Sequence, residues 1–268
     1  MPARPPTKRS PMRLAFQQKI NVMNAVMLRD MRARFFNHGA GFLVQSLWPL
    51  VHMLVIMILN TIAGRSAPYG DNPMLFFATG VLPVLTFIYV SRFMSLSLLM
   101  NQPMLSFPVV KITDVLFARA ILEVLAGCIT LAMMAGIFIA LRVAPYPIDP
   151  PQAVLAYLAT ILLAVGVGTL AGVITMFLPI FATAFALLGL VFYLSSGALF
   201  VTSAFPDPIA IPMSYNPLVQ SVEWMRTAYF ETYSDRLVDK EYLVGFGMIS
   251  LLCGLLLERV ARRRMLEV

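Results

Sequence analysis

The chain runs to 268 residues, of which 59% are hydrophobic and only 12% charged, with a mean hydropathy of +0.81. Soluble domains devote about a quarter of their residues to Asp, Glu, Lys and Arg, so an ordinary soluble fold is excluded. The formal charge of +7 does not point to nucleic acid, because 12 of the 20 basic residues lie up to Arg34 or from Arg259 onward. There they suit topology signals and anionic headgroups.

Residues 1–11 hold Pro2, Pro5, Pro6 and Pro11 among Arg4, Lys8 and Arg9, a composition that cannot pack and reads as a disordered tail. No short apolar core with a small-residue cleavage site precedes Gly41, so a cleaved secretory signal is not expected. Over 12–36, Phe16, Ile20, Met23, Met27, Met31 and Phe35 recur every three or four residues. Arg13, Gln17, Asn21 and Asn24 form a polar stripe beside them, followed by Arg29, Arg32 and Arg34. That spacing predicts an amphipathic helix lying flat on the cytoplasmic leaflet or packed on a partner.

Beyond it come long uncharged runs: 35–64, 72–91, 93–110, 124–141, 150–206 and 242–257. A helix needs about 20 apolar residues to cross a hydrocarbon core of ~30 Å. The runs predict spans at 42–63, 74–99, 115–140, 153–175, 182–201 and 242–261. The fourth and fifth share one run, and Pro179 is the expected reversal point between them. The fold class is an all-α polytopic membrane protein: six transmembrane helices over 42–261, followed by a basic cytoplasmic tail at 262–268. With the N-terminus inside, cytoplasmic segments collect 14 basic residues against five outside, Arg92 being left within the second span. The asymmetry puts both termini in the cytoplasm.

The long outside loop, 202–241, carries six acidic residues and Pro206, Pro208, Pro212 and Pro217. Its middle, 218–225, is nonetheless fairly apolar. Asn216 before Pro217 reads as an N-cap and first-turn proline. Short external re-entrant helices, buried against protein, are expected there.

Chemistry-bearing motifs are absent. His38 and His52 are too far apart for a helical metal pair, Cys128 and Cys253 fall in different spans, and no lysine sits in a phosphate-binding loop. Gly166, Gly168 and Gly172 lie within an apolar span, where small residues let helices approach closely. Glu123, about two turns into the third span, is the intramembrane carboxylate, and Arg92 is its expected partner. Snorkelling of Arg92 and Arg119 to the interface is the plainer alternative. In the 101–114 segment, Met104, Leu105 and Phe107 face the cytoplasm without an evident core, which predicts a docking site for another protein; a simple connecting loop is the other reading.

Several stretches together resemble the membrane subunits of type-2 ATP-binding-cassette exporters, in particular those for capsular and related polysaccharides. They are Arg29-Asp30-Met31-Arg32-Ala33-Arg34-Phe35 followed by Gly41-Phe42 and Trp48-Pro49-Leu50; Phe107-Pro108-Val109 with Asp114 and Ala118-Arg119; and Asn216-Pro217-Leu218 with Glu223-Trp224-Met225-Arg226 and Ala228-Tyr229-Phe230. One departure stands out: Pro49 follows Leu47-Trp48, where the family pattern has Glu-Pro. The resemblance implies a multi-pass protein of the bacterial inner membrane exporting a lipid-linked capsular polysaccharide, not itself an enzyme. It implies a homodimer with two separate ATPase subunits, which hold the ATP and Mg, this chain binding no cofactor. Periplasmic and outer-membrane export proteins and membrane lipids complete the partners, and no nucleic acid is involved. Met104, Leu105, Phe107, Pro108, Val109, Lys111 and Asp114 would couple to the ATPase, with Arg29, Arg32 and Arg34 on the interface helix. Asn216, Pro217, Glu223, Trp224 and Arg226 would form the external re-entrant region. A glycan path should show aromatic faces, and Phe177, Phe181 and Phe185 at i, i+4, i+8, with Phe192 and Tyr193 two turns on, are candidates to line it together with Trp48 and His52; ordinary lipid-facing or packing phenylalanines are the other reading. Other readings are export of O-antigen, teichoic acid, a lipid or a drug, or a membrane-embedded acyltransferase built on His52 or Glu123.

Overall fold

The computed structural model describes residues 11–34 and 41–267, and all regular structure in them is helical. Most of the expected tail, with Phe35 and His38, lies outside the described residues.

Helix α1 (Pro11–Arg34) precedes α2 (Gly41–Ile62) and α3 (Pro73–Met100). A single-turn α4 (Gln102–Leu105) leads into α5 (Ile112–Ala140), followed by α6 (Pro150–Phe177) and α7 (Phe181–Leu194). Next come a 3₁₀ turn at Thr202–Ala204, α8 (Asp207–Ser214) and α9 (Pro217–Tyr229), and α10 (Lys240–Glu267) closes the chain. Three helices start with one device, an Asn or Asp cap before a first-turn proline. Asn72 accepts from the Met74 N–H at 2.8 Å, Asp149 from Gln152 at 3.1 Å and Asn216 from Leu218 at 3.0 Å. The proline gives up only an N–H that would have no intrahelical partner.

The 28-residue α3 is the axis of the bundle, buried along much of its length between α2, α5, α6, α7 and α9. α6 lies between α3 and α10, and its glycines make that possible. A Cβ at Gly168 would sit 2.8 Å from Met94 Cβ, and one at Gly172 2.8 Å from the Met94 carbonyl oxygen. Gly166 faces the Gly247 backbone of α10. Backbones this close gain dispersion contact without a hydrophobic driving force, the usual basis of helix association in lipid.

Five helices, α2, α3, α5, α6 and α10, are long and apolar enough to cross a membrane. The expected fifth span, 182–201, is not one continuous helix. α7 has only 14 residues, roughly 21 Å of rise against a ~30 Å core. It stops at Ser195, and Gly197, with φ of +77°, turns the chain into irregular backbone. The reversal between α6 and α7 falls at 178–180, around Pro179.

Both ends of the described chain are helical. The inward stripe of α1 is Met23, Val26, Met27 and Asp30, whereas Phe16 and Ile20 are exposed. Val26 is buried against a cluster built from Leu98, Leu105, Ile112, Val115, Leu116, Val173 and Met176. The basic residues of the expected tail continue α10, which stays helical to Glu267.

Candidate functional site

The ionisable groups gather at one end of the bundle, where α1 crosses the start of α5 and the end of α3. Arg119, on the second turn of α5, is 1% exposed. It bonds Asp30 of α1 at 3.3 Å and pairs with Glu123 one turn along its own helix, its guanidinium lying 5.0 Å from the Phe93 ring centre on α3. Asp30 also accepts from Asn101 at 3.4 Å, and Asn101 in turn accepts from Arg29 at 2.8 Å. On the far side, Glu123 accepts from Gln45 of α2 at 2.8 Å. A continuous polar chain, Arg29–Asn101–Asp30–Arg119–Glu123–Gln45, therefore joins four helices. Two carboxylates share the buried guanidinium, which keeps both stable away from water.

This corrects the expected Arg92–Glu123 pair. Arg119 shares a helix face with Glu123 at the i, i+4 spacing, whereas Arg92 is exposed and lines a groove facing α7. The i, i+4 spacing was visible in the sequence. Gln45, Asp30 and Asn101 carried no such signal, because their roles depend on where α1 and α2 pack.

Next to this junction lies the 102–111 turn. Leu105 is buried and Met104 packs on the same cluster, so these two anchor the turn and are not free for docking as expected. Phe107 and Val109 are 60% and 51% exposed, and Pro108 lies exposed between them. The Lys111 N–H donates to Asp114 at 3.2 Å, closing the turn into α5, and Asp114 meets Lys19 of α1 at 3.7 Å. An open groove between α1 and the turn is lined by Met12, Phe16, Lys19, Pro108 and Val109. Arg32 is exposed on α1, and Arg34 ends that helix.

Farther along the bundle, the exposed His52 of α2 stacks on Tyr193 of α7 at 6.2 Å and 29°, with its Nδ1 3.4 Å from the Tyr89 hydroxyl of α3. Phe192 meets Phe87 edge-on at 6.5 Å. Phe181 and Phe185 stack at 6.1 Å, but Phe177 ends α6 and shares no helix face with them, because the chain reverses at Pro179. Trp48 is 69% exposed. Tyr89 belongs to the cluster and could not be inferred from sequence, since only the packing of α3 brings it to His52.

At the opposite end, Arg226 of α9 is fully buried and donates to the carbonyls of Gly197 at 2.9 Å, Ala198 at 2.9 Å and Phe200 at 2.7 Å. Its guanidinium stands 4.2 Å from the Phe76 ring centre. The irregular chain after α7 thus finds donors that no water supplies. Glu223 accepts from the Tyr233 hydroxyl at 2.8 Å. Burial pushes its carboxyl above the usual range, opposed by Tyr233 and the Arg226 charge. Trp224 donates to Gln152 at 2.9 Å, while Lys240 sits 5.2 Å from its ring centre. Asn216, besides capping α9, donates to Ser195 at 2.9 Å, and Pro217 is buried.

No family model matches the chain. It is 30% identical over 256 residues to the polysialic acid transport protein KpsM of Escherichia coli, covering 93% of this chain and 96% of that protein. The capsule polysaccharide export inner-membrane protein CtrC of Neisseria meningitidis serogroup B is 25% identical, with 90% and 91% covered. The corresponding BexB of Haemophilus influenzae is 24% identical, with 88% of each chain covered. With its membrane-spanning bundle, and near end-to-end similarity to these transport proteins, the chain belongs to the family of capsule polysaccharide export inner-membrane proteins.

Proposed function

We propose that this chain is the membrane subunit of an exporter that carries a lipid-linked capsular polysaccharide out of the cytoplasm. The observation that carries the reading is similarity along nearly the whole chain to inner-membrane proteins of capsule export. Two copies form the path, and two separate ATPase subunits, holding ATP and Mg, dock on the cytoplasmic face. Both termini lie on that face, and periplasmic and outer-membrane export proteins receive the polymer.

The geometry supports a route for force. The exposed Phe107–Pro108–Val109 turn and α1 offer the ATPase its contact. The turn is rooted by Leu105 in the same cluster that holds Val26 of α1. From there the Asp30–Arg119–Glu123–Gln45 chain reaches α2, whose His52 sits two turns beyond Gln45, with Tyr89 and Tyr193. Movement of α1 against α5 would therefore be felt at the aromatic cluster. Deleting the gene in its host is expected to abolish surface capsule and trap polymer inside the cell, read by immunolabelling of intact and permeabilised cells. Normal surface capsule in the deletion strain would overturn the reading.

A further inference from the structure

Arg92 is left out of every interaction described so far. It stands nine residues before Asn101, within α3, one of the helices long and apolar enough to cross a membrane. Arg92 is exposed, and no ion pair or hydrogen bond to its side chain occurs among the described residues. Glu123, the nearby buried acid, is held by Arg119.

The groove Arg92 lines, between α3 and α7, is walled by Phe87, Ile88, Ser91, Phe185, Gly189 and Phe192. Gly189 leaves space, since a Cβ there would meet nothing within 4 Å. Arginines within membrane-spanning helices are rare and mark pathways for charged ligands. A guanidinium presents a planar fork of donors that matches phosphate and carboxylate oxygens. The phenylalanine walls suit the apolar body attached to such a group.

We propose that Arg92 and this groove form an oxyanion-binding site for a phosphate or carboxylate delivered by a lipid headgroup or by the glycan. Only the choice of glycan probe rests on the export reading. Binding is measured without transport, so the site stands or fails apart from the capsule phenotype.

The test is titration of the purified protein in detergent with short-chain phosphatidylglycerol, short-chain phosphatidylcholine and a sialic acid oligomer. Arg92→Gln is expected to weaken at least one anionic probe about tenfold, the scale of one charge-assisted pair, while Arg92→Lys, which keeps the charge and loses the fork, falls between Arg92→Gln and wild type and phosphatidylcholine is unaffected. Loss for phosphatidylglycerol alone assigns the lipid phosphate, loss for the oligomer alone the glycan carboxylate, and loss for both a shared oxyanion site. Gly189→Leu, which fills the groove and spares Arg92, is expected to lower the same affinity. Equal affinity of wild type and Arg92→Gln for both anions, or no binding by wild type, overturns the proposal.

Discussion

Arg119 shows how one residue can hold a membrane junction together. Its burial leaves no water to replace Asp30 or Glu123, so removing it strands two carboxylates. Breaking a buried pair from one side costs about 3–5 kcal/mol in soluble proteins. Arg119→Leu is therefore expected to reduce protein abundance and thermal stability in detergent more than Glu123→Gln, whose amide still accepts from Gln45. The double variant is expected to recover part of the Arg119→Leu loss, and strictly additive defects would show the two are uncoupled. Arg226 makes the same argument at the opposite end of the bundle. Lysine keeps its charge but cannot reproduce a fork that serves the Gly197, Ala198 and Phe200 carbonyls together. Arg226→Lys is expected to be nearly as damaging as Arg226→Gln, measured by the melting temperature of the purified protein. A lysine variant as stable as wild type would show that charge alone suffices. The i, i+4 spacing of Arg119 and Glu123 was legible in the sequence. The choice of Arg119 over Arg92 was not, because facing directions on α3 depend on how it packs.

Among the elements, the 102–111 turn divides its apolar residues by task. Leu105 and Met104 root it in the cluster beneath α1, while Phe107, Pro108 and Val109 are left outward. Phe107→Asp is accordingly expected to leave the protein in the membrane at normal abundance. Polymer export should fall by about tenfold or more, the scale of one lost interface anchor, with ATP hydrolysis by the partner continuing. Unchanged export would remove the turn from the coupling route. Leu105→Asp, in contrast, is expected to lower abundance itself, because it places a charge in a packed cluster. The element boundaries marked by Asn or Asp before proline could be read directly, since capping is local chemistry. The shortness of α7 could not be read. Residues 182–201 are apolar enough to span, and what ends the helix early is a set of carbonyls satisfied by Arg226, some 30 residues away.

At the scale of the whole molecule, the orientation predicted by basic-residue asymmetry is open to direct labelling. Single cysteines at 235, 111 and 263, introduced into a variant lacking Cys128 and Cys253, are expected to separate. Asp235→Cys should react with impermeant reagent from outside, and Lys111→Cys and Arg263→Cys only after permeabilisation; protection of position 235 would mean that the number of crossings is wrong by one. Composition and charge spacing by themselves determined that this is a helical membrane protein, where its long helices run and where its chain turns. Those properties follow from transfer free energies and caps summed over neighbouring residues. Which carboxylate meets which guanidinium, which side of α1 faces inward, and how the chain after α7 satisfies its backbone were decided only by tertiary structure. In a bundle where nearly every face is apolar, hydrophobicity does not distinguish one packing from another. A few small residues and buried polar groups choose among them, and their partners lie far away in the chain.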